Sequence, residues 1–174
     1  MALGLRRVLV TMNHIATSGN VKLQPMEPIT VRSDARSKLL AASPSEVFSA
    51  ISDPARIARW WGPDGFTNTI HQFDFKPGGK WLLTMHGPDG TNYPNESRFT
   101  RIAADQLFEI EHLDAPHFIL TIELKPQGTG TEVQWLQTFD TVEHYEKLAQ
   151  FVALANEQNL ERLAAEVKRG KSAG

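Results

Sequence analysis

Residues 43–83 read SPSEVFSAISDPARIARWWGPDGFTNTIHQFDFKPGGKWLL, and this stretch decides the fold. Its first four residues, Ser43-Pro44-Ser45-Glu46, have the pattern of a helix start, because a capping serine is followed by proline at the first helical position and by glutamate three residues on. Asp53-Pro54 begins a second short helix in the same way, and Gly62-Pro63 ends it. The stretch therefore predicts two short helices followed by a return to strands.

On both sides of these helices the sequence has the pattern of β-strands. Residues 29–42 are predicted to form the first strand. Beyond residue 76, turn sequences recur at intervals of roughly ten residues, which is typical of an antiparallel meander. Between the turns apolar residues alternate with polar ones, as in Phe118, Leu120 and Ile122, so each strand has one apolar face. We expect an α+β fold with a curved antiparallel sheet of six or seven strands.

The C-terminal segment, from residue 142 to about 168, contains neither proline nor glycine. Its apolar residues recur at spacings of three, four or eight, which predicts an amphipathic helix long enough to cover the sheet. At about 100° per residue, Asn156 and Asn159 fall within the same apolar stripe, between Val152 and Leu163. Two amides in a buried stripe need hydrogen-bond partners, which could be each other, backbone, water or a ligand.

Composition limits the classes of function. A chain of 174 residues with 41% hydrophobic content can bury one substantial core. The chain has 18 Lys and Arg against 20 Asp and Glu, and its sequence has no basic stripe that could neutralise phosphates. No nucleic-acid partner is therefore expected. The absence of cysteine excludes disulfides, thiol nucleophiles and zinc–thiolate sites, and it is compatible with the reducing cytoplasm, where we expect the protein. The longest apolar runs are too short to span a bilayer, so no membrane span is expected.

The chain is predicted to contain a single domain at residues 28–169. Residues 1–27 carry Arg6 and Arg7 and no acidic residue before Glu27. This composition is typical either of a leader or of a poorly ordered extension. Residues 170–174 are expected to form a flexible tail.

The sequence contains four short motifs, which are Trp60-Trp61-Gly62-Pro63, Lys76-Pro77-Gly78-Gly79-Lys80-Trp81, Asp89-Gly90 with Tyr93-Pro94, and Thr138-Phe139-Asp140. Together with the predicted order of helices and strands, these motifs resemble the START-like (SRPBCC) superfamily. Within it, the chain is most similar to the Aha-type branch, related to the activator of the heat-shock-protein-ninety ATPase, over residues 30–168. The resemblance implies a helix-grip fold, in which the sheet wraps around the last helix and leaves a pocket between them.

A pocket of this kind would be lined by apolar side chains with a few polar groups among them, which is typical of small-molecule sites. The alternation of each strand places His112 and Gln137 on apolar faces, and it places His71 beside Phe73 and Phe75. The candidate ligand-binding residues are Asn156, Asn159, Gln137, His112, His71, Trp81, Met85, Tyr93, Trp135 and Val152.

Two functions from different classes remain open from the sequence. The first is a binding module for a hydrophobic small molecule. The second is a cofactor-free enzyme of the cyclase, aromatase or dehydratase kind known in the superfamily. In such an enzyme a tyrosine or a histidine, His71 or His112, would act as general acid or base, and the amides would stabilise an enolate. A chaperone-associated role has less support, because the chain has no room for the separate N-terminal domain of the namesake co-chaperones.

Catalytic motifs are missing from the sequence, so no catalytic residue, metal or cofactor is assigned. It contains no phosphate-binding glycine loop, no His-Glu-x-x-His metal motif and no Gly-x-Ser-x-Gly elbow. The sequence leaves open whether the protein forms a homodimer.

Overall fold

The computed structural model describes residues 28–172. A short 3₁₀ helix comes first, and seven strands and three α-helices follow it. In chain order the elements are the 3₁₀ helix Ile29–Val31, β1 Ser33–Leu40, α1 Pro44–Ser52, α2 Pro54–Trp60, β2 Thr67–Phe73, β3 Lys80–His86, β4 Asn92–Ala103, β5 Leu107–His112, β6 Phe118–Gln127, β7 Gly130–Phe139 and α3 Val142–Ser172.

Both short helices begin as their sequences predict. The Ser43 side chain accepts a hydrogen bond from the backbone N–H of Glu46, and the Glu46 side chain accepts one from the backbone N–H of Ser43. This reciprocal capping box satisfies two of the N–H groups that a helix start leaves without intrahelical partners. Asp53 caps α2 by accepting from the backbone N–H groups of Ala55 and Arg56. The two caps place α1 and α2 end to end between β1 and β2.

The seven strands form one antiparallel sheet in the order β1-β7-β6-β5-β4-β3-β2. Strands β2 to β7 follow one another as a meander, and α1 and α2 carry the chain from β1 at one edge to β2 at the other. The turn before β3 needs its two glycines. Gly78 has a φ of +80°, and a Cβ on Gly79 would lie 1.9 Å from the carbonyl oxygen of Asp74.

Helix α3 lies across the concave face of the sheet, and the core fills the space between them. The predicted helix-grip arrangement is therefore confirmed. At one end of the sheet, α1 and α2 pack against the core through Val47, Ile51, Ile57 and Trp60. Large side chains from the strands and α3 complete the core, including Phe99, Phe108, Ile122, Leu160 and Leu163.

Two predicted boundaries are wrong. The first strand was expected over residues 29–42, but the 3₁₀ helix takes the place of its first residues. In this turn the Val31 N–H donates to the Pro28 carbonyl, and the Ser33 hydroxyl donates to the Ile29 carbonyl. The last helix continues to Ser172, so residues 170–172 of the expected tail are helical. The predicted extension at residues 1–27 and the last two residues of the tail lie outside the described residues.

A candidate ligand-binding cavity between the sheet and the last helix

A cavity of about 450 Å³ lies between the concave face of the sheet and the first half of α3. Strands β3 to β7, α3, the segment after α2 and the loop between β5 and β6 all contribute to its wall. Most lining residues are apolar or aromatic, and Asp114, at the exposed rim, is the single carboxylate among the described lining residues. Since one water molecule takes up about 30 Å³ in the liquid, the cavity volume corresponds to roughly 15 water molecules.

Nine of the ten residues predicted to bind a ligand lie in this wall. They come from separate elements, and the curvature of the sheet brings them together. Their placement in the wall is a geometric fact, whereas ligand contact stays a prediction. The nine are Asn156, Asn159, Gln137, His112, Trp81, Met85, Tyr93, Trp135 and Val152.

The tenth residue, His71, is not in the cavity wall, so its prediction was wrong. Its side chain is exposed, and Nε2 lies 2.8 Å from the Thr84 hydroxyl oxygen. Strand β2 has a register irregularity between Ile70 and Gln72, where it pairs with β3. Such a bulge changes which side chains face the core. Strict alternation from Phe73 back to His71 therefore does not hold.

Three tryptophans form the inner part of the wall. The ring of Trp61 lies 4.8 Å from that of Trp81 and 5.9 Å from that of Trp135, measured between centroids. The indole N–H groups of Trp81 and Trp135 are buried and have no hydrogen-bond partner among the described residues. Buried donors without partners are uncommon in folded proteins. The Trp61 position also depends on Gly62, which has a φ of +97°.

His112 is the one histidine of the described chain in the wall, and both of its ring nitrogens face protein oxygens. Nδ1 lies 3.1 Å from the Asp114 carbonyl oxygen, and Nε2 lies 3.0 Å from Oδ1 of Asn95. The ring stacks on Phe118 at 4.5 Å. Burial lowers the pKa of His112 despite the raising effect of the Asp114 carbonyl. The lowered pKa favours the neutral ring, which carries a single N–H and therefore donates to only one of these two oxygens, while both nitrogens lie against protein atoms.

A line of four polar side chains reaches the cavity from the edge strand β1. Arg36 donates to Asp34 through Nε at 2.9 Å and Nη2 at 3.2 Å. The amide nitrogen of Asn156 donates to Asp34 at 3.0 Å and to Oε1 of Gln137 at 2.9 Å. The partners of Asn156 that the sequence left open are thus a carboxylate on β1 and an amide on β7.

Asn159 and Arg162 attach α3 to the segment after α2. Oδ1 of Asn159 accepts from the backbone N–H of Gly62 at 2.8 Å, and its amide nitrogen donates to the Ala155 carbonyl. The Arg162 guanidinium donates to four backbone carbonyls, those of Arg59, Gly62, Pro63 and Phe66. Asn159 lies in the wall, but its hydrogen bonds serve to position the neighbouring loop.

Further along α3, the buried carboxylate of Glu166 joins the last helix to α2. Its side chain is 1% exposed and accepts from Arg56 at 3.1 Å and from Arg59 at 2.6 and 3.0 Å, with Arg169 at 3.3 Å. Burial raises the pKa of Glu166, but the hydrogen bonds from Arg59 and Arg56 outweigh burial and hold it below the ordinary value. The cavity is thus bounded by a helix that is firmly fixed at one end.

The family model described as "Activator of Hsp90 ATPase homolog 1-like protein" matches residues 41–168. The match spans α1 to α3 and includes every element of the cavity wall. The chain belongs to this family.

Solved structures of proteins from other organisms show the same fold. A protein from Arthrobacter aurescens is 25% identical, with a TM-score of 0.75, covering 82% of this chain and 90% of its own. One from Nitrosomonas europaea is 18% identical, with a TM-score of 0.74 and coverages of 82% and 97%. An AHSA1-like protein from Aeromonas hydrophila is 19% identical, with a TM-score of 0.62 and coverages of 79% and 94%. A search of curated proteins finds no significant match.

The mouth of the cavity in this AHSA1-like chain is apolar and partly open. Phe66 and Tyr93 pack on one side with ring centroids 5.9 Å apart, and Phe151 of α3 lies exposed on the other. Beside the mouth, His117 lies between two carboxylates, with Nδ1 2.8 Å from Asp140 and Nε2 3.2 Å from Glu111. This histidine ties the loop before β6 to β5 and to the chain after β7.

Sequence reasoning missed several residues of the site. Trp61 lines the cavity but is not among the ten candidate ligand-binding residues. Ser97 is 2% exposed and also lines it, and no hydrogen bond joins its hydroxyl to another described residue. Its position in the strand alternation, two residues before Phe99, could have identified it. Arg162 carried no signal, because a charged residue on a helix normally indicates a solvent-exposed face.

Within residues 28–172, no group of three or more His, Asp or Glu side chains is arranged to hold a metal ion. No helix in the same range combines the length and the apolar character that crossing a bilayer requires.

Proposed function

We propose that this protein binds a hydrophobic small molecule in the cavity between the sheet and α3. The observation that supports this most directly is the cavity itself, which has about 450 Å³ of space and a wall of aromatic and aliphatic side chains. Known small-molecule sites have volumes of roughly 300 to 1,000 Å³, and few polar groups orient the ligand. Membership of the AHSA1-like family is compatible with this proposal.

The wall favours an uncharged ligand or one whose charge stays at the mouth. Its described lining residues contain no lysine or arginine, and its single carboxylate, Asp114, is exposed. Burying a charged group without a partner costs on the order of several kcal/mol. The proposed partner is therefore a largely apolar and neutral molecule.

The enzymatic alternative has less support from the geometry. His71 lies outside the cavity wall, and the two ring nitrogens of His112 are within hydrogen-bond distance of Asp114 and Asn95. A general base needs a nitrogen or oxygen within reach of the substrate proton. For His112 to serve as one, the contact between its Nε2 and Oδ1 of Asn95 would first have to open.

Other aspects of the expected function stay proposals. An association with a chaperone ATPase rests on the family description alone. A cytoplasmic location rests on the absence of cysteine from the sequence. A homodimer has no specific support in the arrangement of the described residues.

Native mass spectrometry of the purified protein, followed by organic extraction, tests the proposal. We expect a mass excess that disappears on extraction and yields a hydrophobic compound. The matched variant Val152→Phe adds bulk to the cavity wall and should lose this mass excess. Leu154→Phe, on the exposed side of the same helix, should retain it.

Circular dichroism must show that Val152→Phe is folded, because extra bulk in a packed region costs about 1 to 3 kcal/mol. Retention of the same compound by the folded Val152→Phe protein would count against binding in this cavity. A compound released equally by both variants would instead be bound at another site.

A further inference from the structure

The carboxamides of Asn156 and Gln137 meet in the cavity wall, and an ion pair outside the wall controls their orientation. The Asn156 nitrogen lies 2.9 Å from Oε1 of Gln137 and 3.0 Å from Oδ2 of Asp34. Asp34 is held by the Arg36 guanidinium through two hydrogen bonds. The four side chains thus form one chain of hydrogen bonds that begins at a fixed charge.

The carboxylate determines which way each amide points. An ionised carboxylate only accepts hydrogen bonds, so Asn156 must turn its NH₂ group and not its oxygen toward Asp34. Both protons of that NH₂ are then used, one by Asp34 and the other by Gln137. The second bond requires an acceptor, so Gln137 turns its oxygen toward Asn156 and keeps its own NH₂ free.

Two polar atoms therefore remain without partners among the described residues, Nε2 of Gln137 and Oδ1 of Asn156. Three side-chain atoms of the described residues are unpartnered and fully buried, namely Asn68 Oδ1 and the indole nitrogens of Trp81 and Trp135. Nε2 of Gln137 and Oδ1 of Asn156 are not among these three. Gln137 is 8% exposed and Asn156 is 3% exposed, and both line the cavity. A ligand in the cavity therefore lies next to both side chains.

We infer that this pair recognises a neutral ligand group that carries a hydrogen-bond acceptor beside a donor, such as a lactam, a carboxamide or a protonated carboxylic acid. The inference rests on the proposed function and names the chemistry of its ligand. Nε2 of Gln137 donates to the ligand carbonyl, and the ligand N–H or O–H donates to Oδ1 of Asn156. A ligand with an acceptor alone leaves Oδ1 unpaired in a buried place, which weakens binding.

Two matched fragments test this inference by ¹⁵N NMR titration of the full chain. 2-Quinolinone is a bicyclic lactam with N–H beside C=O, and coumarin is its lactone analogue, with a ring oxygen in place of N–H. We expect 2-quinolinone to bind roughly 3- to 10-fold more tightly, the effect of one hydrogen bond. The side-chain amide signals of Gln137 and Asn156 should shift with it.

Two substitutions in β7 test whether the NH₂ group of Gln137 is the donor to the ligand. Gln137→Met removes the NH₂ that both fragments use, so it should weaken both by a similar factor. Gln134→Met changes the same residue type on the opposite face of the strand and should weaken neither. Gln137→Glu keeps the oxygen that Asn156 needs, and it replaces Gln137→Met if that variant does not fold.

The outcomes distinguish this inference from the proposed function. Equal affinities of the wild-type protein for the two fragments, with shifts at cavity residues, would overturn the inference and leave the cavity as a ligand site. If neither fragment shifts cavity resonances up to its solubility limit, both the proposed function and the inference are overturned. A larger loss from Gln134→Met than from Gln137→Met would also overturn the assignment of the donor.

Discussion

The two halves of α3 have the same amphipathic sequence pattern but different surroundings. From Asn159 onward, inward polar groups such as those of Arg162 and Glu166 are bonded to α2 or to the segment after it. In the first ten residues of the helix, 142–151, none is fully buried, and Val152 is the first that is. The second half packs against protein, whereas the first half bounds the cavity.

This difference separates stability from binding along one helix. Where side chains pack and their polar groups are satisfied, a substitution leaves a cavity or an unpaired group, and the free energy of unfolding falls. Where the helix faces an open space, the same change removes few contacts. We therefore expect large effects on stability in the second half of α3 and effects on binding in the first half.

Glu166→Leu should have the largest effect, because it leaves the guanidinium groups of Arg56 and Arg59 without their buried partner. Arg59 is partly exposed, so we expect a loss of about 2 to 4 kcal/mol, below the full range for a buried pair. Urea unfolding measures it. The control Glu161→Leu removes an exposed carboxylate of the same helix, paired with Lys38 at the surface, and should change stability by less than about 1 kcal/mol. If Glu166→Leu lost no more stability than the control, the expected difference between the two halves of α3 would be wrong.

Asn156→Leu tests the point where the two halves meet. It leaves the buried groups of Asp34 and Gln137 without their shared donor, so we expect a loss of about 1 to 3 kcal/mol. A thermal melt measures this, with the exposed change Gln150→Leu as control. Unchanged or higher stability would mean that the amide is held for a ligand alone.

His117 allows a pH test at the mouth of the cavity. Partial burial lowers its pKa, but hydrogen bonds with Asp140 and Glu111 outweigh burial and raise it above its ordinary value. The protonated ring therefore stabilises the fold below about pH 6.5, the ordinary histidine value. This contribution is lost as the pH rises through the raised pKa.

Urea unfolding at pH 5.5 and pH 8.5 measures this contribution, which solvent screening keeps under about 1 kcal/mol. The variant His117→Gln should reduce the difference between the two pH values, whereas His144→Gln, at an exposed position of α3, should not. An unchanged pH dependence in His117→Gln would rule out this contribution.

Phe151→Ser should have the smallest effect on stability, within about 0.5 kcal/mol, because its side chain is 61% exposed. It should nevertheless weaken coumarin binding, since Phe151 lines the mouth. Leu154→Ser is equally exposed on the same helix but does not line the cavity, so it should leave binding unchanged. A Phe151→Ser protein as unstable as Glu166→Leu would contradict the division of α3.

The fold was predictable because local signals and global arrangement agree. The capping box at Ser43, the glycine turn before β3 and the stripe on α3 each point to one element, and the structure contains each. The start of β1 was not predictable in the same way. A short turn depends on individual hydrogen bonds, such as that of the Ser33 hydroxyl, which alternation does not reveal.

The site was only partly predictable, because its chemistry depends on partners far apart in sequence. Alternation placed Gln137 on an inner face, but the pairing of Asn156 with Asp34 joins residues 122 positions apart. A single bulge was enough to turn His71 to the outside. Glu166 lay inside the helical stripe, but a glutamate there gives no sequence signal of the arginines on α2 that make its burial tolerable.

The arrangement of the tryptophans gives the protein an optical property of its own. All four lie close together, with Trp61 5.5 Å from Trp60 as well as near Trp81 and Trp135. Three of them touch the cavity. Their shared ultraviolet emission should change whenever a molecule enters, so occupancy can be followed by fluorescence in the unlabelled wild-type chain.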